Sequence, residues 1–286
     1  MFDILNHVIL AALGFLFLYP FWYTLVLAFS TPQQAASMGL HLWPAPISLE
    51  SIKAAISYRA IGTGYLNTIF RAVVGTALNV TITILGAYVL SKKNLPLRSA
   101  FTVIVLITMF FSGGLMPAYL LIKNLGLMDS RLALILPVLT SAWNLIIARN
   151  FILMLPDSLE EAAYIDGANP PKILWYILFP LSMPIISVIA LWSVVGHWNA
   201  WFDALLYIRS TDKTVLQIAL RDMIRASNFD GKGKLSISLE IGNQAMIVVQ
   251  SVRAAAIIIS IGPIILVYPF LQKYFVKGML VGSLKG

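Results

Sequence analysis

Six long apolar runs alternate with polar stretches along the 286 residues, near 8–30, 64–90, 99–117, 132–154, 173–207 and 244–273. Each is at or close to the ~20 residues that a helix needs to cross a bilayer. The pattern predicts an all-α integral membrane protein, a single transmembrane domain over 1–286 with six transmembrane helices. The third run carries FSGGLMPAYLL, with Gly113, Gly114 and Pro117. It is expected to end there and continue as a short interfacial helix, because non-helical backbone at membrane depth needs cover from protein or a cavity. The connections differ in character. Residues 31–63 are polar and Pro-containing, and SKKNLPLR (91–98) is a tight basic turn. Residues 208–243 form a long polar loop holding the amphipathic stretch VLQIALRDMI, in which Leu216, Leu220, Met223 and Ile224 recur at helical spacing.

Composition sharpens this picture. The chain is 59% hydrophobic and 11% charged, against about 25% charged in soluble domains. A net charge of +8 would ordinarily raise nucleic acid as a partner, but the basic residues are scattered through the connections, so membrane placement accounts for them. With no cysteine, disulfides, thiolate catalysis and thiolate metal sites are excluded. The first run lacks a basic n-region and a small-residue cleavage pattern, so it is read as a retained span and not a signal peptide. GKGK at 231–234 is read as a flexible turn, because it lacks the spacing of a phosphate loop. Six spans place both termini on one side. Eight basic residues on that side against ten on the other do not select which side it is.

Four of the twelve acidic residues, Asp157, Glu160, Glu161 and Asp166, lie within LPDSLEEAAYIDGANPPKILWYILFP (155–180). Asp157 and Ser158 can both cap a helix, and Ser158-x-x-Glu161 has the form of a capping box. Gly167 can take the left-handed conformation that stops a helix, and Asn169-Pro170-Pro171 then turns the chain. A short helix over about 158–167 follows, outside the membrane. Leu159, Ala162, Ala163 and Asp166 share one of its faces at i, i+3, i+4 and i+7, low enough for another surface to approach. One reading is an ordinary surface helix with solvated acids; the other is a docking knob for a basic groove.

EEAAYIDGANPPKILWYILFPLSMP resembles the cytoplasmic Glu-Ala-Ala loop of bacterial ABC-importer permeases, through Glu161, Ala162, Ala163, Gly167, Ile177 and Pro180, with Phe179 where Leu is usual. YLNTIFRAVVGTALNVTITILGAYVLSKK is similar to the second span of maltose-type carbohydrate permeases. NLGLMDSRLALILP and the tail YPFLQKYFVKGMLVGSLKG resemble the branch that takes up oligosaccharides with a lipoprotein binding protein. The resemblance implies a type I ABC-importer permease fold with a cytoplasmic coupling helix formed by Ser158, Leu159, Glu160, Glu161, Ala162, Ala163, Asp166 and Gly167. It implies a second homologous permease, two ABC ATPase subunits, an extracytoplasmic solute-binding lipoprotein and an oligosaccharide substrate. It also implies a multi-pass protein of the bacterial cytoplasmic membrane with both termini inside, and a loop 208–243 that reaches toward the binding protein. The chain itself is expected to catalyse nothing and to bind no cofactor or metal, ATP and Mg belonging to the partner ATPases.

On the second span Thr68, Ala72, Gly75, Thr76, Asn79, Thr83 and Gly86 form a stripe of small and hydroxyl residues. Helix packing is the first reading of such a stripe and a pathway lining the second. On the fifth, Trp192, Gly196, Asn199 and Asp203 are expected on one helical face, near His197 and Trp198. Sugar contact and an interfacial aromatic belt fit these residues equally, and His197 alone reads first as a hydrogen-bonded structural residue. Arg253 lies within a span and needs a partner or a wet cavity, which makes it a pathway candidate. Arg71, nearer a boundary, is expected to snorkel. An amino-acid or peptide importer is the alternative within the same machinery. A free-standing secondary transporter would need coupling-ion acids in mid-span, and Asp203 is the only candidate acid within a predicted span.

Overall fold

The computed structural model describes residues 2–31, 34–35, 42–44, 46–229, 251–266 and 269. In chain order its helices are α1 (Phe2–Ala28), α2 (Glu50–Ser57), α3 (Arg59–Ser91), α4 (Arg98–Phe110), α5 (Leu115–Asn124), α6 (Ala142–Leu153) and α7 (Ser158–Ile165). After these come α8 (Pro170–Leu181), α9 (Met183–Asn199), α10 (Phe202–Tyr207), α11 (Leu216–Phe229) and α12 (Ser251–Leu266). Among the described residues the extended backbone pairs only at one isolated bridge, Ser30 with Ile47.

Among the described residues two helices, α1 and α3, are long and apolar enough to cross a membrane as single rods. At 1.5 Å per residue α3 is about 50 Å long, more than a hydrocarbon core is thick. Three further runs are bent pairs: α4 with α5 (111°), the 3-10 turns of Arg131–Val138 with α6 (50°), and α8 with α9 (79°). Counting each pair as one span gives five; α12 covers part of the sixth predicted run, whose remainder lies outside the described residues.

The bends have local causes. The third run ends at Phe110, earlier than the predicted 117, because Gly114 adopts φ +84°. Pro117 then falls in the first turn of α5, where a missing N–H leaves no acceptor wanting. The fourth run breaks before Ser141, whose hydroxyl caps α6 by accepting from Asn144 N (3.3 Å). In α8 the turn Leu174–Leu178 is π-wound ahead of Pro180, the widening by which a helix accommodates a lost donor. The fifth run was expected to continue to 207. Instead α9 stops at Asn199 and α10 starts afresh at Phe202.

The described residues fall into two compact units, those within Met1–Tyr65 and Thr214–Pro263 and those within Leu66–Lys213 and Ile264–Gly286. In the first unit, α1 buries only Val26, Leu27 and Ala28. A helix apolar on every face and exposed on nearly all of them is suited to lipid or to another chain. The amphipathic stretch forms α11, which buries Leu216, Ala219, Leu220 and Met223, with Val215 buried just ahead of it. Gly64 makes this packing possible: a Cβ there would stand 2.9 Å from the Leu216 Cα. GKGK lies outside the described residues.

In the second unit the core joins α3, α6, α7, α8 and α9 through residues such as Ile84, Ala87, Ile152, Ile173, Leu178 and Ile189. Asp129, at φ +54°, ties residues 209–213 down. It accepts from Ser210 Oγ, from the Arg209 and Ser210 N–H groups (3.0 and 2.9 Å) and from Lys213 Nζ (3.2 Å). The Ser210 hydroxyl, the two backbone donors and Lys213 hold its carboxyl well below the usual carboxylate range. A depressed folded pKa means that this tie is complete above the ordinary carboxylate pKa and is lost as pH falls through the lower folded value.

Gly64→Val is expected to overpack against Leu216 by roughly 1–3 kcal/mol and lower the thermal midpoint by about 2–4 °C per kcal/mol. Gly62→Val, with open space around it, serves as the control that leaves the midpoint in place.

Candidate functional site

Within the second unit α3, α6, α9 and α10 surround a cavity of about 510 Å³. Its wall includes Asn79, Ser141 and Asn144, and Trp192, His197, Asn199 and Trp201 with the pair Arg71 and Asp203. The break between α9 and α10 places Asp203 here. Although the expected continuous face across 192–203 does not exist, Trp192, Gly196, Asn199 and Asp203 still meet at one cavity.

Arg71 corrects the sequence reading. It does not snorkel; it is 2% exposed. Its guanidinium pairs bidentately with Asp203, Nη1 to Oδ1 at 3.2 Å and Nη2 to Oδ2. Its Nε donates to His197 Nδ1 at 3.2 Å, so that ring is an acceptor at Nδ1 and carries its proton at Nε2. His197 lies against Gly75, where a Cβ would come within 2.7 Å of the ring Cε1. The small residue at 75 thus makes room for a polar ring. Asp203 Oδ1 also accepts from Ala204 N at 2.8 Å. An unpaired charge inside a span costs about 2.5–3.5 kcal/mol on insertion scales, and here each ion meets its counterion. The sequence held the signal: the predicted runs contain one acid, Asp203, and three arginines, Arg71, Arg149 and Arg253, of which Arg71 is the one paired with Asp203.

The stripe on α3 packs, as first read: Thr68, Ala72 and Thr83 are buried and Gly86 abuts Leu145. Asn79 does more. Its Nδ2 donates to the Leu139 carbonyl at 2.8 Å, while its buried Oδ1 has no hydrogen-bond partner among the described residues and the residue lines the cavity. Asn199 Nδ2 bonds back to Val195 O at 3.0 Å. Trp192 and Trp201 keep 45% and 39% of their surface exposed, leaving indole area open to a ligand. Arg253 belongs to the first unit, on α12, half-buried, and does not line this cavity.

The acidic helix α7 is a second candidate surface. Gly167, at φ +76°, closes it: its N–H bonds to Tyr164 O at 3.0 Å and the Ala168 N–H to Ala163 O at 2.9 Å, the paired bonds of a glycine C-cap. The start differs from expectation. Asp157 is helical and makes no side-chain cap; its carboxylate pairs with Lys93, so no capping box forms. Glu160 pairs with Lys92, whose ammonium also lies 4.1 Å above the Tyr88 ring. The flat face is also revised. Ala163 is buried in the chain's own core, so the outward face holds Ser158, Glu161, Ala162 and Ile165, with Ile165 88% exposed. Leu159 and Asp166 flank it, both exposed.

The family model for binding-protein-dependent transport system inner membrane components matches residues 82–281. The chain is 38% identical over 285 residues to Protein LplC of Bacillus subtilis, covering all of this chain and 95% of that one. It is also 38% identical to the polygalacturonan/rhamnogalacturonan transport system permease protein YtcP of the same organism, over all of this chain and 99% of that one. A solved bacterial ABC transporter involved in the import of the acidic polysaccharide alginate contains a chain with TM-score 0.87 and 33% identity, 96% of each chain being covered.

Asp203→Asn is expected to leave Arg71 buried beside an uncharged amide. Because Asp203 faces the cavity, the loss should fall at the lower end of the range for a broken buried pair, about 3 kcal/mol. Arg71→Met with Asp203→Leu should recover most of it. Thermal unfolding of the three proteins gives the comparison; a stable Asp203→Asn would remove the pair from the stability account.

Proposed function

The chain belongs to the family of binding-protein-dependent transport system inner membrane components, ABC-importer permeases that are not enzymes, and from that premise we propose that it forms half of an alternating-access pathway for an oligosaccharide. The other half is a second, similar permease. Two ABC ATPases supply the energy, and an extracytoplasmic binding protein delivers the sugar. The chain sits in the bacterial cytoplasmic membrane as six spans with both termini inside. The cavity carries the substrate reading: two half-open indoles beside the Asn79 amide oxygen, which has no hydrogen-bond partner among the described residues, suit a ligand of apolar ring faces edged with hydroxyls. The names of YtcP and of the alginate transporter point to the same substrate class.

In this reading α7 is the coupling helix. Supporting it, Glu160 and Asp157 are engaged by lysines of the same chain while Glu161 is exposed on the outward face. Glu161 is therefore the carboxylate offered to a basic group of the ATPase, and Ile165 the apolar anchor beside it. One charge-assisted hydrogen bond is worth about 1.5–3 kcal/mol. ATP closes the ATPase pair, α7 moves with its groove, and the spans reorient around the cavity.

Trp192→Ala is expected to cut sugar uptake by roughly tenfold, one stacking contact's worth, while ATPase co-purification stays unchanged; full uptake would remove the cavity from the pathway. Glu161→Lys is expected to reduce ATPase co-purification and uptake together by at least about tenfold. Glu160→Gln should affect co-purification far less. Gly167→Val should behave like Glu161→Lys, because a β-branched residue is strained at that φ.

A further inference from the structure

Beside the pathway lies a second concavity, of about 570 Å³, between α3 and α4. Its lining is apolar throughout: Ile82, Leu85, Val89 and Leu90 from α3 meet Phe101 and Ile104 from α4, among others. Ile104 is 57% exposed and Phe101 47%. Among the described residues nothing fills the groove, and in a bilayer an open apolar groove between two helices is acyl-chain space.

One end of the groove is charged. Leu90 lines it, and the Leu90 carbonyl accepts from two arginines at once, Arg98 Nε at 3.1 Å and Arg149 Nε at 3.0 Å. The two Nε atoms are thus no more than about 6 Å apart. Capping the end of α3 explains one N–H of each guanidinium. Each guanidinium has five. Arg149 spends one more on Asn150 Oδ1 at 3.4 Å, and among the described residues neither arginine pairs with a carboxylate. Two like charges held this close call for an anion, and their remaining donors suit the paired oxygens of a phosphate.

We propose that this groove is a binding site for one anionic phospholipid, its acyl chain along α3 and α4 and its phosphate on Arg98 and Arg149. Basic pockets between spans on the cytoplasmic side take anionic headgroups. A zwitterionic lipid would bring a choline or ethanolamine cation to the same pair of arginines and is disfavoured. The assignment to the inner leaflet rests on the topology proposed above; the groove and its arginines do not.

The importer complex, purified through this chain, would be incubated with phosphatidylglycerol or phosphatidylcholine and its lipid adducts counted by native mass spectrometry. Retention of phosphatidylglycerol over phosphatidylcholine is expected. Arg98→Gln with Arg149→Gln should weaken it by roughly thirtyfold, the loss for two basic groups at an anionic surface. Ile104→Trp should weaken it as well, by filling the groove with both arginines intact. Equal retention in the wild type and the double variant would overturn the proposal. So would full retention by Ile104→Trp together with displacement by millimolar inorganic phosphate, which would mark an anion site without a lipid. The chain has no native cysteine, so a cross-link from the partner permease to Ile104→Cys would show a protein helix in the groove and overturn it too. Lipid retention is read without uptake, so loss of the transport reading leaves this test standing.

Discussion

A helix that breaks at membrane depth frees backbone carbonyls where no water can reach them, and the second unit is organised by answering that demand. The break ahead of α6 frees the Leu139 carbonyl, and Asn79 of α3 reaches across to it. The end of α3 frees the Leu90 carbonyl, and Arg98 and Arg149 take it. The stop between α9 and α10 turns Asp203 toward Arg71. The first two answers come from polar side chains on other elements and the third from a charge pair across the break, so Asn79, Arg71 and Asp203 line the cavity while Arg98 and Arg149 hold the carbonyl of Leu90 at the groove. In lipid there is little hydrophobic force between helices; small-residue packing and these few polar ties fix their arrangement.

This explains how much could be read from the sequence. The apolar runs stood out because twenty uncharged residues have few other uses, and the Gly113-Gly114 break was visible because glycine marks such places. The breaks at Leu139–Ser141 and at Ala200–Trp201 were not visible. They depend on Asn79 and on the Arg71–Asp203 pair, partners far away in sequence. For the same reason Arg71 was given to the interface: position along a run says how deep a charge lies, not which counterion it meets. On α7 periodicity found a low face through Ala163 but could not tell which side of a short helix turns inward. The core that takes up Ala163 is built from five separate segments.

The position of α3 links the two candidate surfaces. It carries Arg71, Gly75 and Asn79 at the cavity, and its end reaches Lys92 and the ties to α7. From Asn79 to Ser91 is about 18 Å of unbroken helix. Two kinds of contact join that end to α7: the pairs Lys92–Glu160 and Lys93–Asp157, and the buried packing of Ala163 in the core that includes Ala87 and Tyr88. Lys93–Asp157 is exposed and Lys92–Glu160 part-buried; exposed ion pairs contribute about 0–1 kcal/mol and yield easily, whereas close-packed interiors transmit displacement because they have little free volume. The packed alanine is therefore the stiffer of the two links, and the lysines set the orientation of α7 more than they carry force. In the coupling role proposed for α7, a helix gripped from outside on its Glu161 face and held inside through Ala163 would pass its movement to α3, and so to the residues around the cavity, without any one bond having to bear it.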